Sequence, residues 1–153
     1  MLLICAFLVG LVTGLRTFLA TAIVSWGART RILQVAGTPL AWMGFSLTPI
    51  VLTALALFEL VYDKLPIAES RKAPRSFAAR ILSGGLSGAT LGASGHSIVF
   101  GLLLGVAGAV AGTLIGAACR AKLASLCGRD WPAAVMEDLT GIGIALFAVL
   151  SLR

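Results

Sequence analysis

The sequence contains little charge, and most of what it has is positive. Only 12% of the 153 residues are charged, with six acidic and twelve basic side chains, whereas about a quarter are charged in an ordinary soluble domain. The hydrophobic fraction is 59% and the mean hydropathy is +1.03. This composition argues against a soluble domain. It also argues against a nucleic-acid partner, because no soluble surface remains to present a basic binding face.

Cysteine and histidine are too few and too scattered for the sites that they usually build. Cys5, Cys119 and Cys127 form no Cys-x-x-Cys pair and have no neighbouring histidines, which argues against a zinc site and against a disulfide framework. His96 is the only histidine, and Ser94 and His96 without an orienting acid do not make a hydrolase triad. The sequence therefore favours a protein that is not an enzyme and has no cofactor, with a divalent cation left open.

Long apolar runs are what the sequence has in abundance. A hydrocarbon core of roughly 30 Å needs about 20 apolar residues per helix, and the runs are continuous rather than alternating as in a barrel strand. We therefore predict one all-α domain over residues 1–153, a polytopic helical membrane protein of about five transmembrane helices. A re-entrant segment at 38–46 or 82–95 would change this count. The predicted spans are residues 2–26, 45–63, 80–95, 98–119 and 133–152.

Basic residues are concentrated in two of the predicted connections. The loops 64–80 and 120–131 carry eight Lys and Arg residues, whereas the loop 27–44 and the C-terminus together carry three. By the positive-inside rule the two rich loops are cytoplasmic. Five spans then place the N-terminus in the cytoplasm and the C-terminus outside.

Small residues recur at close-packing spacing in the third and fourth spans. Because lipid tails are as apolar as leucine, membrane helices associate through close backbone approach at such faces. We expect these two helices to be either the packed centre of the fold or the seam of a homo-oligomer, with a dimer favoured. The glycines are Gly84, Gly88 and Gly92 in one helix and Gly101, Gly105, Gly108, Gly112 and Gly116 in the next.

Arg16 is a charge deep within the first apolar run. An ionisable residue near mid-bilayer costs about 2.5–3.5 kcal/mol on insertion scales, so it is a functional hypothesis with a partner to be named. The candidate partners are Glu59, Glu137 and Asp138, and Asp63 shares a helix face with Glu59 because the two are one turn apart. Three interpretations stay open. The cluster is an ion pair that fixes helix register, or it is a cavity that handles an ion, a proton or a polar headgroup. In the third, Arg16 has no partner and its side chain snorkels towards the interface.

A second cluster of charges is basic and follows the second span. It is expected either to determine topology and anchor anionic lipid headgroups or to bind a phosphate group. The lipid bilayer and its anionic headgroups are accordingly the expected partners. The residues assigned to this role are Lys64, Arg71, Arg75 and Arg80.

Four motifs occur in an order that resembles a known family. They are GLRTF at 14–18, ELVYDKLP at 59–66, SRKAP at 70–74 and PAAVMED at 132–138. In these motifs the chain resembles the bacterial inner-membrane family catalogued as domain of unknown function 4126. The resemblance implies a compact helical fold in the bacterial inner (cytoplasmic) membrane, and no established activity comes with it.

The two acidic motifs also suggest a weak two-fold repeat of residues 1–75 and 76–153, since a proline-bearing apolar run precedes each motif. In transporters such repeats bracket a site built from both halves. We therefore expect a transport or permeation protein for an ion, a proton-coupled solute or an anionic lipid headgroup. In it Glu59 and either Glu137 or Asp138 would bind the cation or proton.

Two alternatives remain. One is a metal-dependent lipid-phosphate enzyme, in which carboxylates hold a divalent cation and arginines clamp a phosphate. The other is a non-catalytic membrane scaffold. For the enzyme, the metal ligands would be Glu59, Asp63 and Asp138, and the phosphate clamp would be Arg71, Arg75 and Arg80.

Overall fold

The computed structural model describes residues 1–63, 73–127 and 130–153, and among these the side chains outside 120–121 and 123–134. The described chain is all-helical, as predicted. A short 3-10 helix at Ala41–Gly44 interrupts the connection between the second and third α-helices. The α-helices are α1 (Leu2–Leu15), α2 (Leu19–Arg29), α3 (Thr48–Tyr62), α4 (Pro74–Ser94), α5 (Ile98–Cys127) and α6 (Asp130–Leu150).

Helices α1, α4 and α5 form the centre of the fold through their glycine faces. A methyl group on Gly105 would clash with the backbone carbonyl of Gly84 in α4, and one on Gly112 would clash with that of Leu11 in α1. Backbones approach this closely only where no side chain stands between them. The prediction of a glycine-packed centre is confirmed. These glycine faces are covered by helices of the same chain. They are therefore not the seam between two copies that was the other expectation.

The first apolar run does not form one helix. It divides at Arg16, whose backbone is extended with φ −139° and ψ 115°, and the chain then reverses. Both arms of the resulting hairpin reach the end of α6: Cys5 Sγ lies 3.4 Å from Ser151 Oγ, and Gly27 packs against Val149. Residues 2–26 therefore form two helices and not the single helix expected.

The hairpin brings both termini to the same end of the described structure, which we call the terminal end. The start of α1 at Leu2 packs beside Gly95, and Cys5 meets Ser151 close to the C-terminus. Five full crossings would instead place the termini at opposite ends. The other four predicted spans coincide with α3 to α6. Of the two segments considered as re-entrant, 38–46 contains the 3-10 helix, and 82–95 lies almost entirely within the continuous helix α4.

Helix α3 runs antiparallel to α2 and thereby reaches the bend of the hairpin. Trp26 Nε1, near the end of α2, donates to Thr53 Oγ1 near the start of α3 at 3.0 Å. At the other end of the pair, Glu59 meets the backbone of Thr17. This arrangement carries the carboxylates of α3 to the break between α1 and α2.

The outside of the described structure is apolar. Among the described residues, one helix meets a length and hydropathy criterion for crossing a membrane, the segment Ile98–Cys119, with a mean hydropathy of 2.4 and 33% of its window buried. Two shorter apolar helices are Leu2–Leu15 and Thr48–Tyr62. Large apolar side chains point outward from α3, α5 and α6: Phe58, Phe100 and Phe147 are each at least 60% exposed.

Candidate functional site

The candidate site is the bend between α1 and α2. Helix ends leave backbone N–H and C=O groups without intrahelical partners, and here the two ends meet around Arg16, Thr17 and Phe18. Arg16 and Thr17 are buried, so these groups need partners from other helices.

The carbonyl groups at the bend accept hydrogen bonds from α4 and α5. Arg80 Nη1 donates to the Gly14 carbonyl at 2.9 Å, and Thr113 Oγ1 donates to the same oxygen at 3.2 Å. The Thr17 carbonyl accepts from Ser83 Oγ. Side chains from two glycine-rich helices thus complete the C-terminal end of α1.

The N–H groups at the start of α2 are completed by one carboxylate from α3. Thr17 N donates to Glu59 Oε1 at 2.6 Å, and Phe18 N donates to Glu59 Oε2 at 2.9 Å. A negative charge is favourable here because the aligned peptide dipoles make a helix N-terminus positive. Glu59 therefore acts as the cap of α2 and is not a partner of the Arg16 side chain.

Arg16 forms ion pairs with two aspartates. Its Nε donates to Asp138 Oδ1 of α6 at 2.6 Å, and its Nη1 donates to Asp63 Oδ2 at the end of α3. The Arg16 side chain is only 1% exposed, against 16% for Asp63 and 12% for Asp138. Its third nitrogen, Nη2, is buried and has no hydrogen-bond partner among the described residues.

The bend collects more negative than positive charge. Three carboxylates, on Glu59, Asp63 and Asp138, and two guanidinium groups, on Arg16 and Arg80, make the hydrogen bonds just described. At neutral pH these described groups leave an excess of one negative charge. The excess falls on Glu59, whose carboxylate is partly compensated by two N–H groups and by the positive N-terminus of α2.

The structure brings together most of the predicted acidic residues but changes their roles. Arg16, predicted to meet Glu59, Glu137 or Asp138, pairs with Asp138 and with Asp63. Glu137 is half-buried on α6 beside Asp138.

The basic cluster is divided by the structure. Arg80, assigned to lipid headgroups, is instead 3% exposed and binds the Gly14 carbonyl. Arg75 is exposed, and Lys64 and Arg71 lie outside the described residues.

Sequence reasoning missed the hydroxyl groups that surround the bend. Thr113 binds the Gly14 carbonyl, and Ser83 binds the Thr17 carbonyl. Ser87 Oγ donates to Thr21 Oγ1 at 2.9 Å. The spacing of the serines could have indicated this role. Ser83 and Ser87 are four residues apart and so share a helix face, and each is followed by a glycine of the closely packed α4.

The metal-ligand set considered from the sequence is not assembled. Glu59 binds backbone N–H groups, whereas Asp63 and Asp138 bind Arg16. Among the described side chains, no group of three or more His, Cys, Asp or Glu residues is suited to hold a metal ion.

Comparisons of the chain with protein-family models, with curated proteins and with solved structures found no match. The geometry of the bend is therefore the basis for the functional proposal.

Proposed function

We propose that this protein is an integral membrane protein that transports or conducts protons or small monovalent cations through the site at the bend. The membrane placement is supported by the apolar exterior. Helix α5 has a mean hydropathy of 2.4 over its window but only 33% of that window is buried. Soluble proteins rarely leave large contiguous apolar surfaces exposed, so a lipid environment accounts for these faces.

The proposed topology has four crossing helices, α3 to α6, and a re-entrant hairpin of α1 and α2. Helices α4 and α6 begin at the end opposite the termini. The basic residues of segments 64–80 and 120–131 precede or open these helices in the sequence, and Arg75 lies within the first turn of α4. The positive-inside rule assigns that end to the cytoplasm. Both termini then lie outside, and the bend enters from that outer side. Membership of the family of domain of unknown function 4126, in the bacterial inner membrane, is part of the same proposal.

The observation that carries the transport proposal is the interrupted helix with buried charges at its break. Non-helical backbone at membrane depth is tolerated only where it is enclosed by protein or lines a water-filled cavity. In transporters, such interrupted helices form the sites for substrates and coupling ions. Here the break carries Arg16 between Asp63 and Asp138, and buried ionisable groups in membrane proteins mark ion and proton pathways.

The charge balance favours a cation over an anion. The three carboxylates at the bend exceed the two guanidinium groups by one charge, which a proton or a monovalent cation would neutralise. In the proposed mechanism, an arriving cation competes with Arg16 for Asp63 or Asp138, and the guanidinium then keeps only the other aspartate. Arg16 Nη2, which is buried without a described partner, is positioned to bind a water molecule that enters with the ion.

The test is ion flux in proteoliposomes. Purified protein would be reconstituted in liposomes that contain a pH-sensitive or sodium-sensitive dye, and flux would be driven by a potassium gradient and valinomycin. We expect flux above that of protein-free liposomes, and we expect Asp138→Asn to reduce it to the protein-free rate.

The matched control is Thr113→Val. It removes a hydrogen bond at the same bend without changing an ionisable group, and we expect it to keep most of the flux. Wild-type protein that conducts no more than empty liposomes would contradict the proposal and favour a scaffold. Equal losses in both variants would also contradict it, because flux would then depend on the integrity of the bend and not on the Asp138 charge.

A further inference from the structure

A cavity at the terminal end is separate from the bend. It lies beneath the connection between α2 and α3 and has a volume of about 510 Å³. Its walls are fixed by the fold: Leu33 N donates to the Gly27 carbonyl at 3.1 Å, and Ser25 Oγ donates to the Met43 carbonyl at 2.5 Å. Leu33 and Met43 are almost fully buried. Buried residues such as Leu33 thus form one side of an open cavity whose rim consists of exposed residues.

Two arginines line this cavity without any acidic residue to balance them. Arg29 and Arg31 both contribute to its lining, both are exposed, and neither forms an ion pair with a residue of the described chain. Residues 1–58, which supply all of the lining, contain no Asp or Glu. The residues that line the cavity therefore supply no carboxylate to balance the two arginines, and an anionic ligand would complement them.

The rest of the lining is mostly apolar but includes the polar side chain of Gln34, and a separate apolar groove lies on the other face of the same segment. Leu33, Val35 and Phe45 line the cationic cavity. Ile32, on the other face of the segment, lines an apolar groove of about 280 Å³ between α2 and α6, together with Trp26, Val149 and other mostly apolar residues. Trp26 and Trp42 are exposed at this end, as is typical of side chains at a membrane–water interface.

We propose that the cationic cavity binds the phosphate-bearing headgroup of an anionic phospholipid, with an acyl chain in the apolar groove on the other face of segment 31–33. Two guanidinium groups suit a phosphate because arginine presents several N–H donors in a planar fork. The apolar groove distinguishes a lipid from a free phosphate, since only the lipid has a chain to bury. The inference uses the membrane placement but does not depend on ion transport, and binding is measured separately from flux.

The test compares lipid binding by purified protein in detergent. A fluorescent phosphatidylglycerol would be titrated and competed with unlabelled phosphatidylglycerol, phosphatidylcholine and glycerol 3-phosphate. We expect competition by phosphatidylglycerol alone. The double variant Arg29→Gln with Arg31→Gln should weaken binding roughly fivefold for each arginine.

Two further variants separate the cavity from general electrostatic attraction. Arg153→Gln removes a basic residue from the same end of the molecule that does not line the cavity, and it should leave affinity unchanged. Ala36→Trp keeps both arginines but fills the space beside them, since Ala36 lines the cavity, and it should abolish binding.

Three results would overturn the proposal. Equal competition by phosphatidylcholine would remove the role of the anionic headgroup, and equal competition by glycerol 3-phosphate would identify a free-phosphate site. Equal weakening by Arg153→Gln and by the double variant would show diffuse attraction at this end. Circular dichroism of each variant verifies that the helical fold is retained.

Discussion

Removing the guanidinium of Arg16 should destabilise the protein more than any other single change of charge. In Arg16→Met, Asp63 and Asp138 keep their positions at the bend but lose the buried cation that both contact. Breaking a buried ion pair by removing one partner typically costs about 3–5 kcal/mol. For a chain of this size that corresponds to a fall in Tm of roughly 6–20 °C.

The assay is thermal unfolding in detergent, followed by fluorescence of the three tryptophans. The control is Arg75→Met, because Arg75 is exposed and surface substitutions usually change stability by no more than about 0.5 kcal/mol.

A combined variant tests the reason for the effect. Arg16→Met with Asp63→Asn and Asp138→Asn removes all three charges, and replacing a whole buried ion pair is often close to neutral. We expect it to recover most of the stability lost in Arg16→Met. The reasoning is refuted if Arg16→Met unfolds at the wild-type temperature, or if the combined variant is no more stable than Arg16→Met alone.

Three other predictions follow from the fold. Glu59→Ala leaves two part-buried N–H groups at the start of α2 without their acceptor and should cost about 1 kcal/mol for each, measured by the same unfolding assay, whereas Glu59→Gln should cost less because its amide oxygen still accepts one hydrogen bond. Gly105→Ala should sharply reduce the yield of folded protein, whereas Gly143→Ala should not, since an added methyl group would meet nothing within 4 Å at Gly143; equal yields would contradict the glycine-packed centre. Tags fused before Met1 and after Arg153 should be cleaved by protease from the same side of the membrane, and cleavage from opposite sides would contradict the hairpin.

The sequence predicted the helical class and much of the helix order because those features are local. The apolar runs behind α3 to α6 and the glycine spacing in α4 and α5 can be read from neighbouring residues alone. The same local reading identified Arg16 as a charge that needs a partner. Each of these predictions depends on composition or on spacing within a single helix.

The partners of Arg16 could not be chosen from the sequence. Glu59 and Asp63 are four residues apart on one face of α3, so both were candidates for any role at that face. The height of α3 relative to the hairpin decides between them: it brings Glu59 to the N–H groups of Thr17 and Phe18 and leaves Asp63 beside the guanidinium.

By itself, therefore, the sequence determined an all-helical chain with glycine faces suited to close packing and an arginine within an apolar run, because hydropathy and spacing are properties of contiguous residues. Only the tertiary structure decided that the first apolar run folds into a hairpin. A run of apolar residues has the same pattern whether it is straight or bent at Arg16. The bend is stabilised by groups distant in the chain, the carboxylate of Glu59, the guanidinium of Arg80 and the hydroxyl of Thr113, and these meet it only after the helices have packed.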